Sequence, residues 1–226
     1  MLFEILKKFP VKFYFLKKVY VLFVNLVSPF SSSSEYWDSR YLKGGNSGSG
    51  SYSKFAEFKS EVVNDFIESN RVDSVVEFGS GDGNQLKLMN YKSYVGFDVS
   101  ETAVEVCRQI FNNDLTKRFA LTSEYAGEKA DLSVSLDVIY HLVEDSVFEE
   151  YMSRLFSSAE RFVIIYSSNT EECIDEVSLP HVKHRRFSNW VEQNCPEWVV
   201  ASYVPNKYPY LAGDDGSFAD FYIYMR

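Results

Sequence analysis

The chain has 226 residues, of which 46% are hydrophobic and 24% charged, the proportions of one soluble globular domain with an extension. Its formal charge is −9; residues 1–30 hold +4 (Lys7, Lys8, Lys12, Lys17 and Lys18 against Glu4), which leaves −13 for the remainder. So acidic a body is a poor match to a polyanion, and no nucleic-acid partner is expected. Three cysteines (Cys107, Cys173, Cys195) without a CxxC pair argue against a disulfide framework or a zinc knuckle and for reduced thiols in a cytoplasmic protein.

The first 34 residues read as a basic, aromatic extension. "KKFPVKFYFLKKVYVLFVNLV" interleaves lysines with large apolar side chains, and its longest uncharged run, Val19 to Phe30, is too short to span a bilayer. The layout mimics a signal peptide. Two other readings are packing on the protein's own body and peripheral contact with an anionic membrane at the inner face. Ser31–Ser34 is a low-complexity joint. Residues 35–53, with "GGNSGSGS" inside them, read as a flexible flap or hinge without helix or strand.

From residue 54 to 226 the pattern becomes that of an ordered domain. Phe55, Phe58, Val62 and Phe66 recur at helical spacing over 54–69. "VDSVVEF" is a strand, followed by a glycine turn and a short helix over 84–89, and "SYVGFD" is a second strand. Ser100 is the N-cap of a helix running to about residue 112. "KRFAL" and "ADLSVSLD" are strands, 145–159 a helix, and "RFVIIY" another strand. "RRFSNWVEQN" is a helix, and "EWVVASYV" and "FADFYIYM" are the last strands, joined by the long connection "PNKYPYLAGDDGS". Such alternation means βαβ units and a mainly parallel sheet.

The glycine turn narrows the ligand. A dinucleotide fingerprint is GxGxxG, whereas Gly79, Gly81 and Gly83 form GxGxG with Asn at 84. Glu77 ahead of the turn would repel a pyrophosphate but suits a ligand with a positive amino group. Asp98, nineteen residues after Gly79, stands where an acid grips ribose hydroxyls, with Val99 beside the adenine edge. S-adenosylmethionine combines these features.

At these residues the sequence resembles the class I S-adenosylmethionine-dependent methyltransferases, well over 72–166. "VVEFGSGDG" matches their first motif, "YVGFDVS" their acidic second, and "ADLSVSLDVIYHL" their fourth. The resemblance implies a Rossmann-like three-layer α/β sandwich with a mainly parallel seven-stranded sheet, its last strand antiparallel, and helices on both faces. It implies S-adenosylmethionine as cofactor, held by Glu77, Gly79, Ser80, Gly81, Gly83, Asp98, Val99 and Leu136. "YWDSRY…GGNSGSGS" is also similar to bacterial methyltransferases of surface-polysaccharide assembly, which points to a sugar-type hydroxyl as acceptor.

A hydroxyl acceptor needs a proton acceptor, a task suited to histidine. His141, four residues after Asp137 at the end of the fourth strand, is the candidate base; its other reading is a histidine that orders its loop. Asp137 and His184 complete the catalytic candidates. "LPHVKHRRF" places His181, Arg185 and Arg186 with Lys183 in a cationic cluster, read either as an anchor for an anionic acceptor or as a solvated loop. Tyr36 and Trp37 are the aromatic contacts expected for the acceptor. No spacing compels a metal site. The rival readings are a non-catalytic cofactor-binding scaffold subunit and an NAD-dependent oxidoreductase. Oligomeric state is not legible.

Overall fold

The structure is a computed structural model and describes residues 30–172, 179–211 and 216–226. Its strands are β1 (Ser74–Phe78), β2 (Ser93–Asp98), β3 (Lys117–Leu121), β4 (Ala130–Leu136), β5 (Ala159–Ser167), β6 (Val199–Val204) and β7 (Asp220–Met225). They form one seven-stranded sheet in the order β3-β2-β1-β4-β5-β7-β6. The pairs from β3 through β5 are parallel, and β7 is antiparallel to both β5 and β6. This is the three-layer architecture expected from the alternation of elements.

The helices are α1 (Ser33–Leu42), α2 (Ser53–Asn70), α3 (Glu101–Ile110), α4 (Asp145–Ser157) and α5 (Phe187–Asn194). Successive side chains of a strand point to opposite faces, so a central parallel strand is apolar on both. Val75 of β1 joins a core cluster with Phe58, Val63 and Ile67 of α2 and Val104 of α3. Val76 and Phe78 join the other cluster, with Met152 and Leu155 of α4 and Phe187 of α5. β1 lies between β2 and β4, so the chain leaves it in both directions along the sheet. That is the switch point where the carboxyl ends of the strands leave a crevice.

The expectation that residues 35–53 hold no helix is corrected. Residues 33–42 form α1, whose N-cap Ser32 accepts from the Glu35 N–H at 3.2 Å. Serine disfavours helix interiors but stabilises helix starts, because its hydroxyl takes up an orphan amide. α1 is also docked: buried Ser33 donates its N–H and its hydroxyl to the two Glu144 oxygens at 2.9 and 2.6 Å, and accepts from the Val143 N–H at 3.0 Å. Ser49–Ser51 makes one 3-10 turn, and the expected helix over 84–89 is a 3-10 turn at Gln85–Leu88. β5 begins at Ala159 and β7 at Asp220, each two residues from expectation.

Residues 1–29, on which the membrane and signal-peptide readings rest, lie outside the described residues, as do 173–178 and 212–215. Among the described residues, no helix is long and apolar enough to cross a membrane.

Ser33→Ala removes two of the bonds that dock α1. Hydrogen exchange of residues 34–42 should accelerate roughly tenfold, from the ~1–3 kcal/mol cost of stranding buried partners. Exchange in β1 and β4 should stay unchanged; equal acceleration there would mean that α1 is not an independent unit.

Candidate functional site

A cavity of about 400 Å³ opens at the carboxyl ends of β1, β2 and β4, within the ~300–1,000 Å³ usual for small-ligand sites. Its floor is the glycine turn. Gly79 and Gly81 have φ of 91° and 57°, where an L side chain is strained, and a Cβ at Gly79 would come within 2.4 Å of the Val138 side chain. The amides of Gly79 and Ser80 donate to the Phe97 carbonyl at 2.7 and 3.1 Å, which fastens the turn to β2.

Asp98, buried at the end of β2, accepts from the Gly81 N–H at 2.9 Å through one oxygen and from the Ser100 N–H at 3.0 Å through the other. Each oxygen keeps a lone pair for a ligand hydroxyl. Burial raises its pKa, while the Ser100 and Gly81 amides oppose that. Glu77 is buried in the same wall and accepts from the Tyr94 hydroxyl at 2.7 Å. Burial pushes its pKa up to about 7, against the pull of Tyr94 and the Lys59 charge. Val99 and Leu136 line the cavity with Thr122 and Ser123, which follow β3. Gly83 is not on the wall; its place is against Cys107 and Phe111 on α3, where a Cβ would come within 3.0 Å of both.

The Gly/Ser segment lies across this floor. Asp82, inside the glycine turn, accepts from the Ser47 N–H at 2.9 Å, the Tyr52 hydroxyl at 2.7 Å and the Asn84 N–H at 3.1 Å. The Asp82 N–H donates to Ser47 Oγ at 3.0 Å, and Asn84 Nδ2 donates to the Ser51 carbonyl at 2.8 Å. The strap runs so close that a Cβ at Gly81 would sit 2.3 Å from Ser47 Oγ. Sequence reasoning missed Asp82 and Ser47. The only available signal was an acid among three glycines, and its partner lies 35 residues away.

The acceptor candidates separate into two groups. His141 and Trp37 line the cavity, as do Ser34, Glu144 and Val147. The His141 ring stands 4.8 Å from Trp37 at 75°. Its Nδ1 is 3.1 Å from the His181 carbonyl, which can only accept, so Nδ1 carries the proton and Nε2 is the basic nitrogen. Burial lowers the pKa of His141 to about 4, so it is neutral at pH 7. Asp137, with φ of 61°, is paired within the protein: Lys59 reaches one oxygen at 2.6 Å and the Tyr140 hydroxyl the other at 2.8 Å.

The cationic part of the second group lies elsewhere, whereas the His181 ring stays 5.7 Å from that of His141. His184, Arg185 and Arg186 line a separate cavity with Lys183 and Trp190. Asp145 takes both Lys183 and Arg185 at 2.6 Å, and His184 Nδ1 meets Ser168 Oγ at 2.8 Å. His181 stacks on Tyr36 at 4.2 Å, and burial lowers its pKa to about 3. Among the described residues, no cluster of three His, Cys, Asp or Glu side chains converges on a metal position.

Residues 76–164 match the family described as a methyltransferase domain. No curated protein matches the chain. Among solved structures, magnesium protoporphyrin IX methyltransferase from Synechocystis PCC 6803, with bound S-adenosylhomocysteine, is similar with a TM-score of 0.62 and 14% identity over 85% of this chain and 97% of that one. The N-methyltransferase NodS from Bradyrhizobium japonicum WM9, also with S-adenosylhomocysteine, is similar with a TM-score of 0.65 and 14% identity over 86% and 98%. At these identities the likeness is one of fold. In fold as in motif, the chain resembles the class I methyltransferases, whose cofactor is S-adenosylmethionine.

The buried ionisable groups make opposite contributions to acid stability. His141 and His181 refuse protons that the unfolded chain binds below pH 6.5, so their contribution is lost as the pH falls from 6.5 toward about 4 and 3. Glu77 keeps a proton that the unfolded chain gives up above pH 4.5, so its contribution is lost as the pH rises toward 7. The drop in urea midpoint between pH 7 and pH 5 should shrink in His141→Asn/His181→Asn and grow in Glu77→Gln. Changes of the same sign in both variants would contradict these environments.

Proposed function

We propose that this chain is an S-adenosylmethionine-dependent methyltransferase that methylates a hydroxyl of a small, uncharged acceptor, a sugar or other polyol among them. The observation that carries the reading is the convergence of Glu77, the glycine turn, Asp98 and Leu136 on one cavity that His141 and Trp37 also line.

The donor set fits the cofactor. S-adenosylmethionine carries a net positive charge, and the cavity is acidic: Lys59 is matched by Asp137 and Arg154 by Glu150, while Glu77, Asp82, Asp98 and Glu144 remain. The buried Ser80 hydroxyl lacks a hydrogen-bond partner within the protein and lies in the cavity wall, as expected where a ligand completes the bonding. Asp98 would hold the ribose through its remaining lone pairs, Val99 and Thr122 would flank the adenine, and Glu77 would face the amino group. When bound, the cofactor supplies an electrophilic methyl on a sulfonium.

The protein's part is to align the acceptor oxygen with that methyl and to take its proton. His141 takes this part through its geometry: the His181 carbonyl fixes its tautomer, so Nε2 can accept a hydrogen bond from the hydroxyl, and although burial lowers its pKa to about 4 the hydroxyl proton becomes strongly acidic as the methyl arrives. Trp37 offers an apolar face of the kind that packs on a sugar ring. The acidic mouth disfavours phosphorylated acceptors, since Arg185 and Arg186 are not among its lining residues. Residues 44–52 would exclude water from the reaction.

Two outcomes test this reading. His141→Ala should lower kcat about 100-fold or more and leave the Kd for S-adenosylhomocysteine within a factor of about three; equal losses in both would make His141 structural. Binding of S-adenosylhomocysteine at pH 7 should release protons, because an ammonium beside Glu77 lowers a pKa that stands near 7. Calorimetric titrations in phosphate and Tris buffer should therefore differ in enthalpy, and Glu77→Gln should abolish most of that difference.

A further inference from the structure

The two edges of the sheet are protected unequally. β3, at one edge, carries Lys117 and Arg118, paired with Asp114 and Glu128. Charge on an edge strand discourages the addition of another strand. β6, at the other edge, reads VVASYV without a single charge, and every residue from Val199 to Tyr203 is exposed. Val199, Val200 and Tyr203 keep 56, 55 and 51% of their surface open, which is unusual for large apolar side chains in a row. One side of β6 is bonded to β7. Among the described residues, no other group bonds to the amides and carbonyls on its outer side.

Cross-strand neighbours share a face of the sheet. Val200 stands beside Tyr224, and Tyr203 beside Tyr222 with the rings 5.1 Å apart, on the face that packs with Phe187 and Trp198. Val204 stands beside Phe221 on the opposite face, which it shares with Val199 beside Met225. Both faces thus end at β6 in half-open apolar side chains. A second β6 laid antiparallel, centred between Ala201 and Ser202, sets Val200 opposite Tyr203 of the second copy and Val199 opposite its Val204. Like face meets like face, and each match occurs twice. At either end, exposed Glu197 of one copy comes beside exposed Lys207 of the other. Lys207 is otherwise engaged only with Glu61, at 3.5 Å on the open surface. Pro205, without an N–H, ends the pairing after Val204.

We propose that β6 is a self-association surface, through which two copies of this chain pair antiparallel about a two-fold axis into one continuous sheet. The partner is a second copy because the strand complements itself in faces, in apolar side chains and in the charges at its ends. A two-fold contact uses the same strand of both copies and closes. The edges left over are the two charged β3 strands, so the assembly stops at two. The bulge between Val200 and Ser202 adds twist, which also opposes stacking of further strands. β4, β5 and β7 separate β6 from β1, so the cavity of each copy stays open.

Sedimentation of the full chain from about 1 to about 100 μM tests this. The wild type should approach twice the 26.1 kDa of one chain as concentration rises. Val200→Lys should weaken the dimer at least about tenfold and leave the urea midpoint unchanged. Glu197→Lys and Lys207→Glu should each weaken it roughly two- to fivefold, and the two together should restore it, a rescue that a purely structural role would not produce. A wild type that stays monomeric throughout, or a dimer indifferent to Val200→Lys and to both charge reversals, would overturn the proposal. Hydrogen exchange separates the remaining occupants. Protection of the 199–204 amides should fall on dilution of the wild type. Protection independent of concentration would mean that the chain covers β6 with another of its own segments, and the second copy would be ruled out.

Discussion

The Asp98 carboxylate joins three elements through two hydrogen bonds. One oxygen holds the Gly81 amide and so the glycine turn; the other holds the Ser100 amide, where α3 begins. Ser100 in turn caps α3 through Ala103 and donates to Asp38 of α1 at 2.8 Å. A buried carboxylate is costly unless amides solvate it, and here they do so in the geometry that forces the turn open toward the crevice. The set of the glycine turn and the start of α3 follow from that side chain.

Acids of this kind also set the character of the site. Asp82 binds the strap to the turn, Asp137 binds α2 to the end of β4, and Glu144 binds the start of α1. Each is a short side chain that accepts from groups distant in sequence, so the wall of the cavity and its closure share the same residues. The cost of gathering so many carboxylates is offset by amides, hydroxyls and one buried lysine. What remains is a negative interior suited to a sulfonium cofactor.

Much of this was legible in the linear chain. Strand and helix order followed from runs such as "VVEF" and "FVIIY", since a parallel strand covered on both faces is apolar at every position. Glu77, Gly79, Gly81 and Asp98 could be singled out because a glycine turn between a strand and an acid at fixed distance is a local arrangement. α1 was not legible. Its serines are poor helix formers in isolation, and its stability comes from Ser33 bonding to Glu144, 111 residues away.

The basic run at 181–186 shows the same limit from the other side. Its composition announces an anion, but Asp145 occupies Lys183 and Arg185, and the loop opens on a different cavity. Lys59 was not singled out in the linear chain; it is the fold that sets Asp137 against it. By itself the sequence determined the alternation of elements, the turn and the acids beside it, because periodicity, glycine and carboxylate chemistry act over a few residues. Only the tertiary structure decided which charges neutralise one another and which still face the cavity. Coulombic and hydrogen-bond pairing depend on distance in space, and a chain sets that distance only when it folds.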